Sequence, residues 1–174
     1  NDVIVGGDEA DVIVAGAGDD YIKADTSGDD DIDSVTGGTG NDTYVVSDAG
    51  EADIMVEAAS GGTDTLYING SISTVGMKIG ASGAAADAAM DNFEQIVVKA
   101  GSTATVSASQ ITGRTMSVTA DAAGTSGLTV ADQGGTDAIN LSNLTFTAST
   151  YVDSTGTSVS TIAFDANDTV TITG

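Results

Sequence analysis

Short apolar runs broken by glycine set the pattern of the first third of the chain. Val3-Ile4-Val5, Val12-Ile13-Val14 and Tyr21-Ile22-Lys23 each follow an Asp and each runs into a polar, Gly-rich stretch. Segments 6–14 and 15–23 are consecutive copies of one nine-residue unit, 37–45 is a further copy, and 1–5 reads as the tail of an earlier one. Between them, 28–36 aligns as a degenerate copy with Asp33 in the Asp place, which makes 24–27 a four-residue insertion; Asp30 is the alternative alignment. In every copy an apolar residue stands two places after the Asp: Ile4, Ile13, Ile22, Val35 and Tyr44. Nine residues are too few for a strand with a helical crossover but enough for a tight turn and a very short strand. Two units then make one coil of a parallel solenoid, with those five side chains pointing inward.

Beyond residue 100 the pattern changes. Ala104/Val106/Ala108, Met116/Val118/Ala120 and Leu128/Val130 alternate in short runs, and Ile139/Leu141, Leu144/Phe146, Ile162/Phe164 and Val170/Ile172 continue them. Such evenly spaced strands suit either a sandwich or a continuing solenoid. The Asp-x-apolar half of the repeat survives at Asp64-Thr65-Leu66, Asp137-Ala138-Ile139 and Asp168-Thr169-Val170, which favours coils that continue with Ser and Thr in the turns. Asp137 and Asp168 read as turn residues. The Ala-rich stretch 81–90 is expected as a short helix or a loop.

Coil stacking brings charge into the argument. Residues one coil apart lie about 4.8 Å from each other, so Asp2 is expected over Asp20, Asp20 over Asp42, and Asp11 over Asp33. Two carboxylates at ~4 Å and an effective dielectric of ~20 repel by about 4 kcal/mol. A cation between coils reverses that sign. Ca²⁺, which takes six to eight oxygens in flexible geometry, suits the site better than Mg²⁺, and loop carbonyls can complete the shell.

Composition narrows the rest. The 174 residues carry 26 acids against 4 Lys+Arg, a formal charge of −22, with 23 Gly and no His, Cys, Pro or Trp. Imidazole bases, thiolate nucleophiles, disulfides and ordinary zinc sites are excluded. Four scattered cations make no nucleic-acid face, and no apolar stretch reaches membrane-span length. The cluster Asp29-Asp30-Asp31-Ile32-Asp33 lacks the glycine and terminal Glu of an EF-hand loop. Paired carboxylates suffice for glycoside hydrolysis, but sparse nonrepeat acids without Trp point to a chain that is not an enzyme.

The tandem units resemble the calcium-binding RTX (repeats-in-toxin) nonapeptide, G-G-x-G-x-D-x-U-x with U large and apolar. Glu9 stands in place of the third Gly of its copy and Ala15 in place of the first. The resemblance implies a right-handed β-roll with each Ca²⁺ held between turns. Carboxylate ligands would be Asp2, Asp11, Asp20, Asp33 and Asp42; carbonyl ligands would come from Gly6, Gly7, Gly16, Gly18, Gly37, Gly38 and Gly40. Asp64 either closes the last site or holds a turn. Residues 38–100, with Gly61-Gly62-Thr63-Asp64 and Asp91-Asn92-Phe93-Glu94, resemble the segment flanking such repeats.

The expected fold is therefore all-β: an RTX β-roll over 1–46, an RTX-flanking β region over 47–100, and a Thr/Ser-rich solenoid or sandwich over 101–174. The resemblance implies a secreted, extracellular or cell-surface calcium-binding structural module of a larger bacterial protein. Export would use a type I channel and folding would follow in outside calcium. A surface-layer, matrix or adhesin role implies self-association or assembly with other surface proteins, with no nucleic-acid partner and no membrane insertion. The alternative is the accessory, secretion-directing module of an exoenzyme such as a protease, lipase or epimerase.

Overall fold

The computed structural model describes residues 1–25, 31–47, 53–59, 61–132, 139–164 and 168–173. Gly28, Asp29, Asp30 and Asp137 lie outside the described residues, as do the insertion residues from Thr26 onward. The chain is all-β, a solenoid of stacked parallel sheets.

The first sheet stacks β1 (Val3–Gly7), β3 (Tyr21–Asp25), β5 (Thr43–Val46), β7 (Thr65–Ile68), β10 (Gln95–Val98), β12 (Met116–Ala120) and β14 (Leu144–Thr145), all parallel and in that order. The second stacks β2 (Val12–Ala17), β4 (Ser34–Thr39), β6 (Ile54–Val56) and β9 (Lys78–Gly80). The third stacks β8 (Ile72–Ser73), β11 (Thr103–Ser107), β13 (Gly127–Ala131) and β18 (Thr169–Thr173). Early coils thus alternate between two sheets; from β7 onward the path also visits the third.

Register explains why. Ile4, Ile22, Tyr44, Leu66, Ile96 and Val118 are direct partners along the first sheet and form one inward column. Ile13, Val35, Met55 and Ile79 form the facing column. All five apolar residues of the repeat units lie in these two columns. Both fall within one continuous apolar core, and burying each large side chain contributes about 1.5–3 kcal/mol. Rungs along the first sheet lengthen from 18 residues (Asp2 to Asp20) to 22 and then 30 (Asp64 to Glu94). The longest coil contains 81–90, which is turns and irregular chain rather than a helix. Among the described residues a helix forms instead at α1 (Ala108–Ile111), which follows β11 and takes up Ala108, placed in a strand by the alternation. Ser107 and Gln110 close its start as a capping box.

The solenoid continues through the Thr/Ser-rich region, since β11–β13–β18 and β10–β12–β14 are parallel ladders; it is not a sandwich. Ile139 and Leu141 precede β14 without forming a strand, yet both pack on the core. After β14 the chain reverses. β15 (Thr150–Val152) and β16 (Ser158–Ser160) form an antiparallel hairpin, and β17 (Ile162–Ala163) runs antiparallel to β12. The hairpin lies on the outer face of the first sheet, where Tyr151 stacks on Tyr67 at 5.3 Å and Val45 and Val97 are buried. Among the described residues no helix is long and apolar enough to cross a membrane.

Candidate metal centre

In a parallel coil the residue ahead of each strand needs an acceptor for its N–H. Here a carboxylate from the next coil supplies it. Asp2 N donates to Asp20 Oδ1 (2.5 Å), Asp20 N to Asp42 Oδ1 (2.9 Å), Asp42 N to Asp64 Oδ1 (2.9 Å) and Asp64 N to Glu94 Oε2 (2.9 Å). On the opposite edge Asp11 N donates to Asp33 Oδ1 (2.7 Å) and Asp33 N to Asp53 Oδ1 (3.0 Å). Two acidic ladders therefore run up the solenoid. Their second oxygens have a different fate: Oδ2 of Asp11, Asp20, Asp33 and Asp42 is buried with no hydrogen-bond partner. Asp20 and Asp42 are fully buried, Asp33 nearly so. Withdrawing a carboxylate oxygen from water without a partner is costly, and the cost recurs coil after coil.

Among the described residues Asp42, Glu57 and Asp64 cluster, one oxygen of each lying within 4.8 Å of the others. Glu57 is held on both oxygens. Ala58 N donates to Oε1 (2.6 Å), and the Tyr44 hydroxyl lies 2.5 Å from Oε2 and 2.7 Å from Val56 O. That hydroxyl accepts Gly37 N–H (2.5 Å), and the Tyr44 ring meets Phe93 edge-on at 5.0 Å. Asn92 Nδ2 fixes the Glu57 carbonyl (2.9 Å). Glycine is required here for space: a Cβ on Gly37 would fall against Asp42 Oδ2, the Tyr44 hydroxyl and Glu57 Oε2, and one on Gly61 would lie 2.7 Å from Glu57 Oε1. Gly6 repeats the arrangement against Asp11 Oδ2.

The electrostatics follow. Burial, with Glu57 and Asp20 adding repulsion, pushes the Asp42 carboxyl up to about 6. Burial, then the charges of Glu57, Asp42 and Glu94, pushes Asp64 up to about 7. Glu94 is also raised, chiefly by burial. The Tyr44 hydroxyl is raised by burial and by Glu57, so it stays a neutral donor. Three converging carboxylates, one of them (Asp42) with a buried oxygen that has no partner, and no nitrogen or sulfur donor can hold a hard cation.

The expected stacking of Asp2, Asp20 and Asp42, and of Asp11 on Asp33, is the observed register, and Asp64 extends the first ladder rather than merely holding a turn. Gly16, Gly18 and Gly40 carbonyls pack against Gly38, Gly40 and Gly62 of the next coil, whereas a Cβ on Gly7 would meet nothing within 4 Å. Asp168 Oδ1 accepts Ser126 N–H (2.7 Å), repeating the rung on the third sheet. Asp53, Glu57, Glu94 and the Tyr44 hydroxyl escaped the sequence reading. Asp53 carried a signal, Asp-x-apolar before β6, masked by the missing glycines; Glu57 stands outside the repeat phase, and only the fold brings it in. Comparison with protein-family models, characterised proteins and solved structures finds no match.

Proposed function

We propose that the chain is a calcium-binding structural module of an extracellular bacterial protein, loose without Ca²⁺ and stiff with it. The observation that carries this reading is the pair of carboxylate ladders, in which Asp20, Asp33 and Asp42 each tie one oxygen to the neighbouring coil and leave the other buried without a partner. Calcium between coils supplies what those oxygens lack and cancels their mutual repulsion. Asp42, Glu57 and Asp64 would hold one ion, with carbonyls of the Gly-rich end of β4 and of Gly40 as further donors; the Asp11/Asp33/Asp53 ladder offers a second rank. The resemblance to RTX repeats supports export through a type I channel in an unfolded state and folding in extracellular calcium, since binding to the native state alone adds RT ln(1 + [L]/Kd). No catalytic role is assigned. The long Thr/Ser-rich solenoid supports a surface-layer, matrix or adhesin setting with assembly through solenoid edges.

Calcium titration followed by circular dichroism tests the reading. Wild type should gain β signal cooperatively, and Asp20→Ala, which removes the acceptor for Asp2 N–H and the unpartnered Oδ2, should need about tenfold more calcium. Coincident curves would remove Asp20 from the site. Terbium luminescence adds a local readout: an ion beside Glu57 lies close to the Tyr44 ring, so Tyr44→Phe should cut sensitised emission sharply.

A further inference from the structure

A groove of about 190 Å³ lies between the coil turns and the back-folded hairpin. One wall is a third rank of polar side chains, each one residue ahead of a ladder acid. Asp19 Oδ1 accepts Asn41 N–H (2.8 Å) and Asn41 Oδ1 accepts Thr63 N–H (2.8 Å). This pairing leaves Asp19 Oδ2 to accept and Asn41 Nδ2 to donate toward a ligand. The other wall is the hairpin, with Tyr151 and Ser158 in the lining. That wall is anchored: Tyr151 stacks on Tyr67, Val152 N donates to Thr43 Oγ1 (3.1 Å), and Gln95 Nε2 donates to Thr150 O (3.3 Å).

We propose that this groove binds a single neutral sugar unit of about hexose size. A drug-sized ligand needs ~300 Å³ or more, so the space limits the occupant to one small ring. Charge excludes anions, because no cation lines the groove and the chain carries −22. An apolar ligand would strip water from Asp19, Asn41 and Thr63 and return nothing. A cation would satisfy Asp19 but leave the Asn41 amide and the hydroxyls of Thr63 and Ser158 without acceptors. Sugar hydroxyls donate and accept at once, which matches this mixed lining, and a ring edge can rest on Tyr151. Because both walls are fixed by hydrogen bonds and stacking before a ligand arrives, little ordering entropy opposes binding. None of these side chains belongs to the two acidic ladders, so the inference goes beyond the metal reading.

The test is amide NMR on the calcium-loaded chain titrated with glucose, galactose, mannose and N-acetylglucosamine, each also as its methyl glycoside. At least one should give saturable shifts confined to Asn41, Thr63, Tyr151 and Ser158. Equal binding of the glycoside identifies the end of a glycan as the ligand, and loss of binding identifies a free sugar. Asp19→Ala should weaken the interaction at least about tenfold while the calcium-dependent β signal, measured on the same samples, is unchanged. No saturable shift with any of the eight, or shifts indifferent to Asp19→Ala, would overturn the inference. A calcium response persisting through that failure would leave the metal reading standing.

Discussion

At the scale of single residues the carboxylates are asymmetric, and the asymmetry is what can be tested. Asp42→Asn keeps an oxygen for the Asp20 N–H but removes a full charge and a metal donor. It should leave the rung intact, stabilise the metal-free chain and raise the calcium midpoint by about tenfold or more, read by titration with circular dichroism. Acidity gives a second prediction. The folded-state values of about 6 for Asp42 and about 7 for Asp64 lie above their ordinary 3.8. Between pH ~4 and ~7 the native state therefore binds more protons than the unfolded one, so metal-free stability is greatest below this window and falls as pH rises through it. Calcium must displace those protons, so its affinity should climb over the same window. Thermal melts in chelator from pH 4 to 8 check the first; a midpoint rising with pH would contradict it.

At the scale of elements, strands and loops answer to different pressures. Leu66 is fully buried in the inward column of the first sheet, and Leu66→Ala should cost about 2–5 kcal/mol. Val12, on the outer face of β2, is 82% exposed, and Val12→Ala should change stability by less than about 0.5 kcal/mol. Urea unfolding in calcium distinguishes the two. Gly37→Ala tests the Gly-rich end of β4. Its methyl would collide with Asp42 Oδ2 and the Tyr44 hydroxyl, so overpacking of about 1–3 kcal/mol should appear together with weakened calcium binding.

Strands β1 to β5 were legible because the Asp-x-apolar unit is local: Ile13, Ile22, Val35 and Tyr44 announce both the strand and its inward side. Stacking of Asp2 on Asp20 followed from repeat length alone, and that of Asp20 on Asp42 from repeat length plus the four-residue insertion at 24–27. Glu57 was not legible, because its entry depends on the Tyr44 hydroxyl, which the repeat counts only as an apolar inward side chain, and on Asn92, which lies outside the repeat phase. The hairpin was hidden for a similar reason. Its partners Thr43, Tyr67 and Gln95 stand far away in sequence, and their outward positions look like ordinary solvent-facing alternation. Sheet three answered the choice between sandwich and solenoid through pairing, which a Thr/Ser-rich alternation cannot encode.

At the scale of the whole molecule, an apolar core of modest side chains is set against a charge of −22. Self-repulsion of that size opposes compaction, and it concentrates on the two ladders, where screening by salt is weak because the groups are buried. Raising sodium chloride should therefore rescue the metal-free chain far less than millimolar calcium does. The central claim is that ions bound between coils, rather than the apolar columns alone, hold this solenoid together. Thermal unfolding by circular dichroism at pH 7, in chelator and then in excess calcium at equal ionic strength, tests it most directly. A cooperative β melt that appears, or moves up by tens of degrees, only with calcium is the predicted result. Superimposable melts in the two conditions would contradict it.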